Sequence, residues 1–205
     1  MLTGLKAITT VLLLWNAVHS VAAIAGPIED GDAAYHRKDY AAAMRHWKPL
    51  AAAHNAAALV DVATLYYGGL GVVRNYHLAY VYLSEASDLG DRQAHYLLAA
   101  LYRDGTGVER DQGKALALFR KAAEQDVPGA QFDLGLMHFL GNGAPADYGE
   151  AFYWFSLASS TAGKEHAQLR ATADYMRHQA EARLSKEQVA ELRERIKTRQ
   201  TAQSR

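Results

Sequence analysis

The sequence predicts an all-α chain of stacked helix pairs. Three observations predict it. Similar residues recur at a step of 36 positions, glycines punctuate each copy at the same two places, and apolar residues between them keep helical spacing. Over windows 56–91, 92–127 and 128–163, Gly69, Gly105 and Gly141 fall in register, as do Gly71, Gly107 and Gly143. Ala58, Ala94 and Ala130 align near the start of each window, and Ala79, Ala115 and Ala151 align further on, followed by Ala86, Ala122 and Ala158. Val62, Leu98 and Leu134 each precede a small residue, namely Ala63, Ala99 and Gly135.

Each window reads as two helices. The first runs over about 57–67, 93–103 and 129–139. The Gly-x-Gly turn ends it, because glycine reaches positive φ at little cost. Asn75, Asp111 and Asp147 then stand where an N-cap belongs, accepting the free amides of the second helix. Alanines seven apart share one face of that helix, where a larger side chain would hold its neighbours away. Tyr82, Leu118 and Trp154 lie between them and are expected to fill the core. One such pair cannot bury its own apolar face, so pairs stack and the ends need caps.

Residues 26–55 read as an N-terminal capping half-repeat, with Tyr40, Met44 and Trp47 at helical spacing before Pro49. At the other end, residues 164–205 read as C-terminal capping helices. Lys164 to Leu184 suits one long helix, and Ser185-Lys-Glu-Gln188 is a capping box that starts another. Val189, Leu192 and Ile196 give that last helix an apolar stripe, and Thr198 to Arg205 are expected to fray.

Composition narrows the function classes. The 205 residues are 50% hydrophobic and carry no net charge, so nothing global favours nucleic acid as a partner. Residues 26–163 hold 11 basic and 16 acidic side chains, a net of −5, and residues 164–205 hold 10 and 6, a net of +4. Absence of cysteine excludes disulfides, cysteine-ligated zinc and thiol catalysis. Residues 1–25 read as a signal peptide: Lys6, an apolar run through Leu12, Leu13 and Leu14, and Ala23-x-Ala25 before the cleavage point. The competing reading is an uncleaved anchor. Cleavage after Ala25 gives a periplasmic or secreted protein with no integral membrane segment in the mature chain.

Ala94-His-Tyr-Leu-Leu-Ala-Ala-Leu-Tyr-Arg-Asp-Gly-Thr-Gly-Val108 and the following Asp111 to Gln125 resemble the Sel1-like repeat, a longer relative of the tetratricopeptide repeat. Tyr66 to Val72 and His138 to Gly143 match the same turn less completely, and the terminal Leu184 to Gln188 resembles the segment that often closes such arrays. The resemblance covers about residues 32–199. His138, Ala144 and Thr161-Ala-Gly163 depart from it. It implies a right-handed α/α superhelix (a solenoid) with the first helix of each pair lining a concave face. It also implies an adaptor role, in exported bacterial members tied to envelope assembly, signalling and host interaction.

Chemistry is sparse. The nine histidines are scattered without a His-Glu-x-x-His pattern, and Asp104 to Asp111 lacks the alternating oxygen ligands of a calcium loop. No Ser-x-x-Lys nucleophile pattern occurs. The sequence thus predicts no catalytic residue, metal site or cofactor, and a protein or peptide as partner. The expected groove anchors are Tyr67, Arg103 and Phe139, with a second row of Val60, Tyr96 and Phe132. The competing reading of that second row is packing between repeats. The alternatives to a scaffold are an envelope hydrolase on a helical frame, acting on peptidoglycan or a β-lactam, and a self-associating structural protein. The basic C-terminal helices read as a solvated cap rather than a membrane-surface element.

Overall fold

A computed structural model describes residue 26 and residues 28–203. The predicted signal segment, residues 1–25, lies outside the described residues. Among those described there are helices and no strands. The helices are α1 (28–36), α2 (Tyr40–Ala52), α3 (Ala56–Gly68), α4 (Tyr76–Asp88), α5 (Arg92–Asp104), α6 (Gln112–Glu124), α7 (Pro128–Leu140), α8 (Tyr148–Thr161), α9 (Ala167–Glu181) and α10 (Lys186–Gln203). They belong to two compact units that divide after Ala86.

In the N-terminal unit, Trp47 of α2 is 2% exposed and donates its indole N–H to the Ile28 carbonyl at 3.4 Å. The ring leaves no room for a side chain at Gly31. Asp39, Asn55 and Asn75 each accept an amide at the third residue of the helix that follows, at 2.9–3.0 Å. Pro49 falls inside α2, in its last turn, where the helix is about to end.

In the C-terminal unit, consecutive helices pack as pairs, α5 on α6 and α7 on α8, and α9 lies on α8. Asp91, Asp111 and Asp147 cap α5, α6 and α8 with bonds of 2.7–2.9 Å. Gly105 and Gly141 close α5 and α7 in the left-handed region, at φ of +69° and +73°. The next glycine of the turn has a separate reason. A Cβ on Gly143 would lie 2.5 Å from the Gln112 carbonyl oxygen.

The aligned alanines are fully buried in both units, Ala79 and Ala86 in the first and Ala94, Ala115, Ala122, Ala130, Ala151 and Ala158 in the second. The expectation for the large residue between them needs correcting. Trp154 is buried, but Tyr82 and Leu118 are only half-buried. The core position is the next residue, occupied by Leu83, Phe119 and Phe155. A helical step of 100° separates the two, so a choice one residue off moves a side chain from the interior to its margin.

Two further corrections concern the C-terminus. Lys164 to Leu184 is not one helix: Lys164–His166 forms a 3₁₀ turn before α9. The tail does not fray at Thr198, because α10 continues to Gln203. Arg199 holds it, donating to the carbonyls of Ala123 and Glu124 and to the Asp126 carboxylate, with its guanidinium over the Trp154 ring. The capping box forms as expected. The Ser185 amide donates to Gln188 Oε1 at 2.8 Å, and the Gln188 amide donates to Ser185 Oγ at 3.2 Å.

Gly90 and Gly143 both have positive φ, but a Cβ at Gly90 meets nothing within 4 Å. Gly90→Ala should cost about 1 kcal/mol of backbone strain alone. Gly143→Ala should cost at least twice that in a urea titration, because the Gln112 carbonyl must also move.

Candidate functional site

The six expected anchor residues fall into different environments. In the N-terminal unit, Val60 is buried within α3, while Tyr67 near the helix end is 48% exposed. The Tyr67 ring stands edge-on to Tyr76 at 5.3 Å, so the last full turn of one helix meets the start of the next. Arg74 donates to the Gly68 carbonyl at 3.3 Å and to the Tyr76 hydroxyl at 3.4 Å.

In the C-terminal unit, Tyr96 and Arg103 of α5 converge on Asp133 of α7. Arg103 donates to Asp133 at 3.2 Å and through two nitrogens to Asp104 at 2.7 and 3.0 Å. It also lies over the Phe119 ring at 5.6 Å. Gln112, at the start of α6, donates its side-chain amide to the Arg103 carbonyl. Tyr96 packs against Phe119, and the Asp133 charge reinforces the burial that holds its phenol above the ordinary pKa. The hydrogen bond to Asp104 is the largest cause holding the Arg103 guanidinium above its ordinary pKa. Burial pushes the Asp133 carboxyl up despite the arginine beside it. The cluster joins two successive repeats through one carboxylate.

Phe132 and Phe139 turn toward α8 and α9. Their rings stand 5.5 and 6.4 Å from Phe155. Both pack on a core that includes Phe152 and Ala180, with Met176 and Leu184 alongside. Phe139 also meets Tyr148 edge-on at 5.5 Å, the aligned equivalent of the Tyr67–Tyr76 pair. Arg183 covers both rings, at 4.8 and 5.1 Å from their centroids.

Sequence reasoning missed Asp133 and Arg183. Asp133 had a signal: it is the only charged side chain in α7, and Asp61 holds the aligned position in α3. Arg183 had none, because its role depends on how the chain turns between α9 and α10.

Two buried histidines bear on chemistry. His95 Nδ1 is 2.7 Å from the Ser87 hydroxyl, and among the described residues no carboxylate hydrogen-bonds that imidazole. His138 Nε2 is 3.1 Å from an Arg120 nitrogen. Arginine only donates, so Nε2 accepts, and the proton sits on Nδ1, a buried atom without a partner among the described residues. Burial is the largest cause lowering both imidazoles, with Lys121 reinforcing it at His95 and Arg120 at His138.

A family model described as the Sel1 repeat matches residues 56–91, 92–127 and 128–160. Among solved structures, the chain is similar to a Sel1 repeat protein from Oxalobacter formigenes, with 31% identity and a TM-score of 0.63 over 67% of this chain and 57% of that one. It is also similar to a protective antigen present in uropathogenic Escherichia coli strains, which displays an SLR fold. That match has 28% identity and a TM-score of 0.64, over 68% of this chain and 31% of that one. The chain thus spans less than two thirds of either relative's length. It matches no curated protein.

Both histidines favour the neutral form in the folded state. The stability this contributes is complete above the unfolded value of 6.5 and is lost as pH falls from there through the lowered folded values. Urea titrations at pH 7.5 and 5 should show the chain weaker in acid, and His138→Gln should shrink that difference.

Proposed function

The chain belongs to the Sel1-repeat family, and from that premise we propose that it is an exported, non-catalytic scaffold that binds a protein partner along the first helices of its repeats. The observation that carries the reading is the division of labour within those helices. Ala58, Leu59, Ala94, Leu98, Leu101, Ala130 and Leu134 are buried, while Tyr67 and Arg103, near the ends of α3 and α5, keep solvent access. Tyrosine and arginine are the residue types most often found as interface anchors. Tyr67 is positioned by Tyr76, and Arg103 by Asp104 and Asp133, so little side-chain freedom is left to lose on binding.

The second row supports the interface less directly. Val60 is buried, Tyr96 is packed on Phe119, and Phe132 is packed on Phe155, so each would support the exposed residues of its own unit rather than touch the partner first. Phe139 would contribute through the surface it builds with Tyr148 and Arg183.

The hydrolase reading gains nothing from Ser87 and His95. Both are buried, and a nucleophile needs an open approach and a third group to orient its base. No helix among the described residues is long and apolar enough to cross a membrane. Among the basic side chains of α10, Arg193 pairs with Glu181, Arg195 with Glu150 and Arg199 with Asp126, which supports a capping role for that helix. Export rests on residues 1–25, with Ala23 and Ala25 before the cut.

Capture of partners from a cell-envelope extract tests the interface. Tyr67→Ala should weaken capture about tenfold or more, with helicity unchanged by circular dichroism. Arg103→Lys should weaken it too, because it keeps the charge beside Asp133 but loses the guanidinium fork. Capture by both variants at the level of the unaltered chain would exclude Tyr67 and Arg103 as anchors. Export is tested separately, by N-terminal sequencing of the mature protein, which should begin at Gly26.

A further inference from the structure

The asparagines among the described residues differ in what holds their side chains. Asn55 and Asn75 spend the amide oxygen on helix starts, accepting the Ala58 and Leu78 amides at 3.0 and 2.9 Å. Asn142, in the turn between α7 and α8, is exposed, and its side chain makes no hydrogen bond among the described residues. The residue that follows differs too. Ala56 and Tyr76 carry side chains and are the first residues of α3 and α4. Gly143 has no side chain to shield its nitrogen, and among the described residues its amide donates to no acceptor.

The aligned turns supply an internal comparison. Leu70, Thr106 and Asn142 are the middle residues of the three Gly-x-Gly turns. Their amides donate to the carbonyls of Leu65, Leu101 and Met137 at 3.0, 3.0 and 2.9 Å, so the backbone is held alike in all three. Only the third places a carboxamide beside the bare glycine nitrogen. Asp104-Gly105 is the nearest chemical relative, and it is restrained. Arg103 holds the carboxylate through two nitrogens, and the Gly105 amide donates to the Leu101 carbonyl.

We propose that Asn142 is a site of spontaneous covalent modification, deamidation assisted by the Gly143 nitrogen. That nitrogen gives its proton to hydroxide and attacks Asn142 Cγ. The new C–N bond closes a succinimide ring, and the side-chain nitrogen takes up a proton and leaves as ammonia. Water then opens the ring. Opening at the former side-chain carbonyl leaves aspartate on the original backbone. Opening at the main-chain carbonyl leaves isoaspartate, whose backbone runs through the side-chain methylene. Water is consumed, ammonia is released, and nothing is oxidised or reduced.

The products do not fit the turn equally. A Cβ on Gly143 would lie 2.5 Å from the Gln112 carbonyl oxygen and 3.3 Å from the Met137 methyl group, so this glycine has no room to shift. Isoaspartate lengthens the main chain at that contact and forces the turn away from the start of α6. Either product adds a negative charge just past the C-terminus of α7, where the helix dipole disfavours it. The reaction therefore acts on the join between the second and third repeats.

Peptide mass mapping of the full chain, aged folded in mildly alkaline buffer, tests the inference, with isoaspartate read by enzymatic methylation of its carboxylate. The mass gain of deamidation should accumulate at Asn142 and not at Asn55 or Asn75, together with isoaspartate. Asn142→Gln should abolish both signals with helicity unchanged by circular dichroism. Thr106→Asn should install a second reactive site in the aligned turn. The urea midpoint of the aged chain should fall, while aged Asn142→Gln keeps its fresh value. Modification of Asn142 only when the chain is unfolded in urea, or at the same rate as Asn55 and Asn75, overturns the inference. A folded Thr106→Asn chain that gains no new site overturns the part assigned to the turn.

Discussion

Where helices cross in the C-terminal unit there is no room for a side chain larger than a methyl group. Ala94, Ala99, Ala115, Ala122, Ala130, Ala151 and Ala158 are fully buried, and a Cβ on Gly135 would stand 2.8 Å from the Phe155 ring. Close approach lets the backbones of successive helices share one thin core, into which Phe119, Leu134, Phe152 and Phe155 insert from the flanks. The same requirement recurs every 36 residues because each helix pair must meet the next in the same way. Interiors pack near crystal density, so an enlarged residue at any of these crossings would have to push two helices apart.

That constraint explains why so much of the fold was legible. Alanines in register mark the crossings, glycines in register mark the turns, and Asn75, Asp111 and Asp147 mark the helix starts, each a local need that a residue type advertises. The helix limits differ from expectation by about one residue at each end. What local pattern could not show was the direction of side chains near the margin of a stripe. Tyr82 and Leu118 are one helical step from the core positions Leu83 and Phe119, and apolar residues at both left the choice undetermined until the helices were packed.

The candidate site was less legible, for a related reason. Tyr67 and Arg103 were chosen by type and register, but the partners that orient Arg103 come from the next residue and from a helix 30 residues away. Phe139 illustrates the limit more sharply. Its surroundings are set by Met176, Ala180, Arg183 and Leu184, in a segment outside the three-repeat register, so no alignment of repeats predicts what covers it. Tail order was misjudged for the same cause. Thr198 to Gln203 looks polar and frayed in isolation, yet Arg199 finds acceptors at the end of α6 that only the folded chain brings near.

The reach of Arg199 has a temporal consequence. Its acceptors, Ala123, Glu124 and Asp126, are made more than 70 residues earlier, and Trp154 and Glu150 likewise wait for α10 before their outer faces are covered. Neighbouring repeats can form as they emerge, but the clasp over the second and third waits for α10. A nascent or prematurely terminated chain would therefore display Tyr153, Trp154 and the flank of α8 to chaperones and proteases. Arrival of α10 and closure of this flank are in this sense a single event, which separates a clasped pair of repeats from an unclasped one.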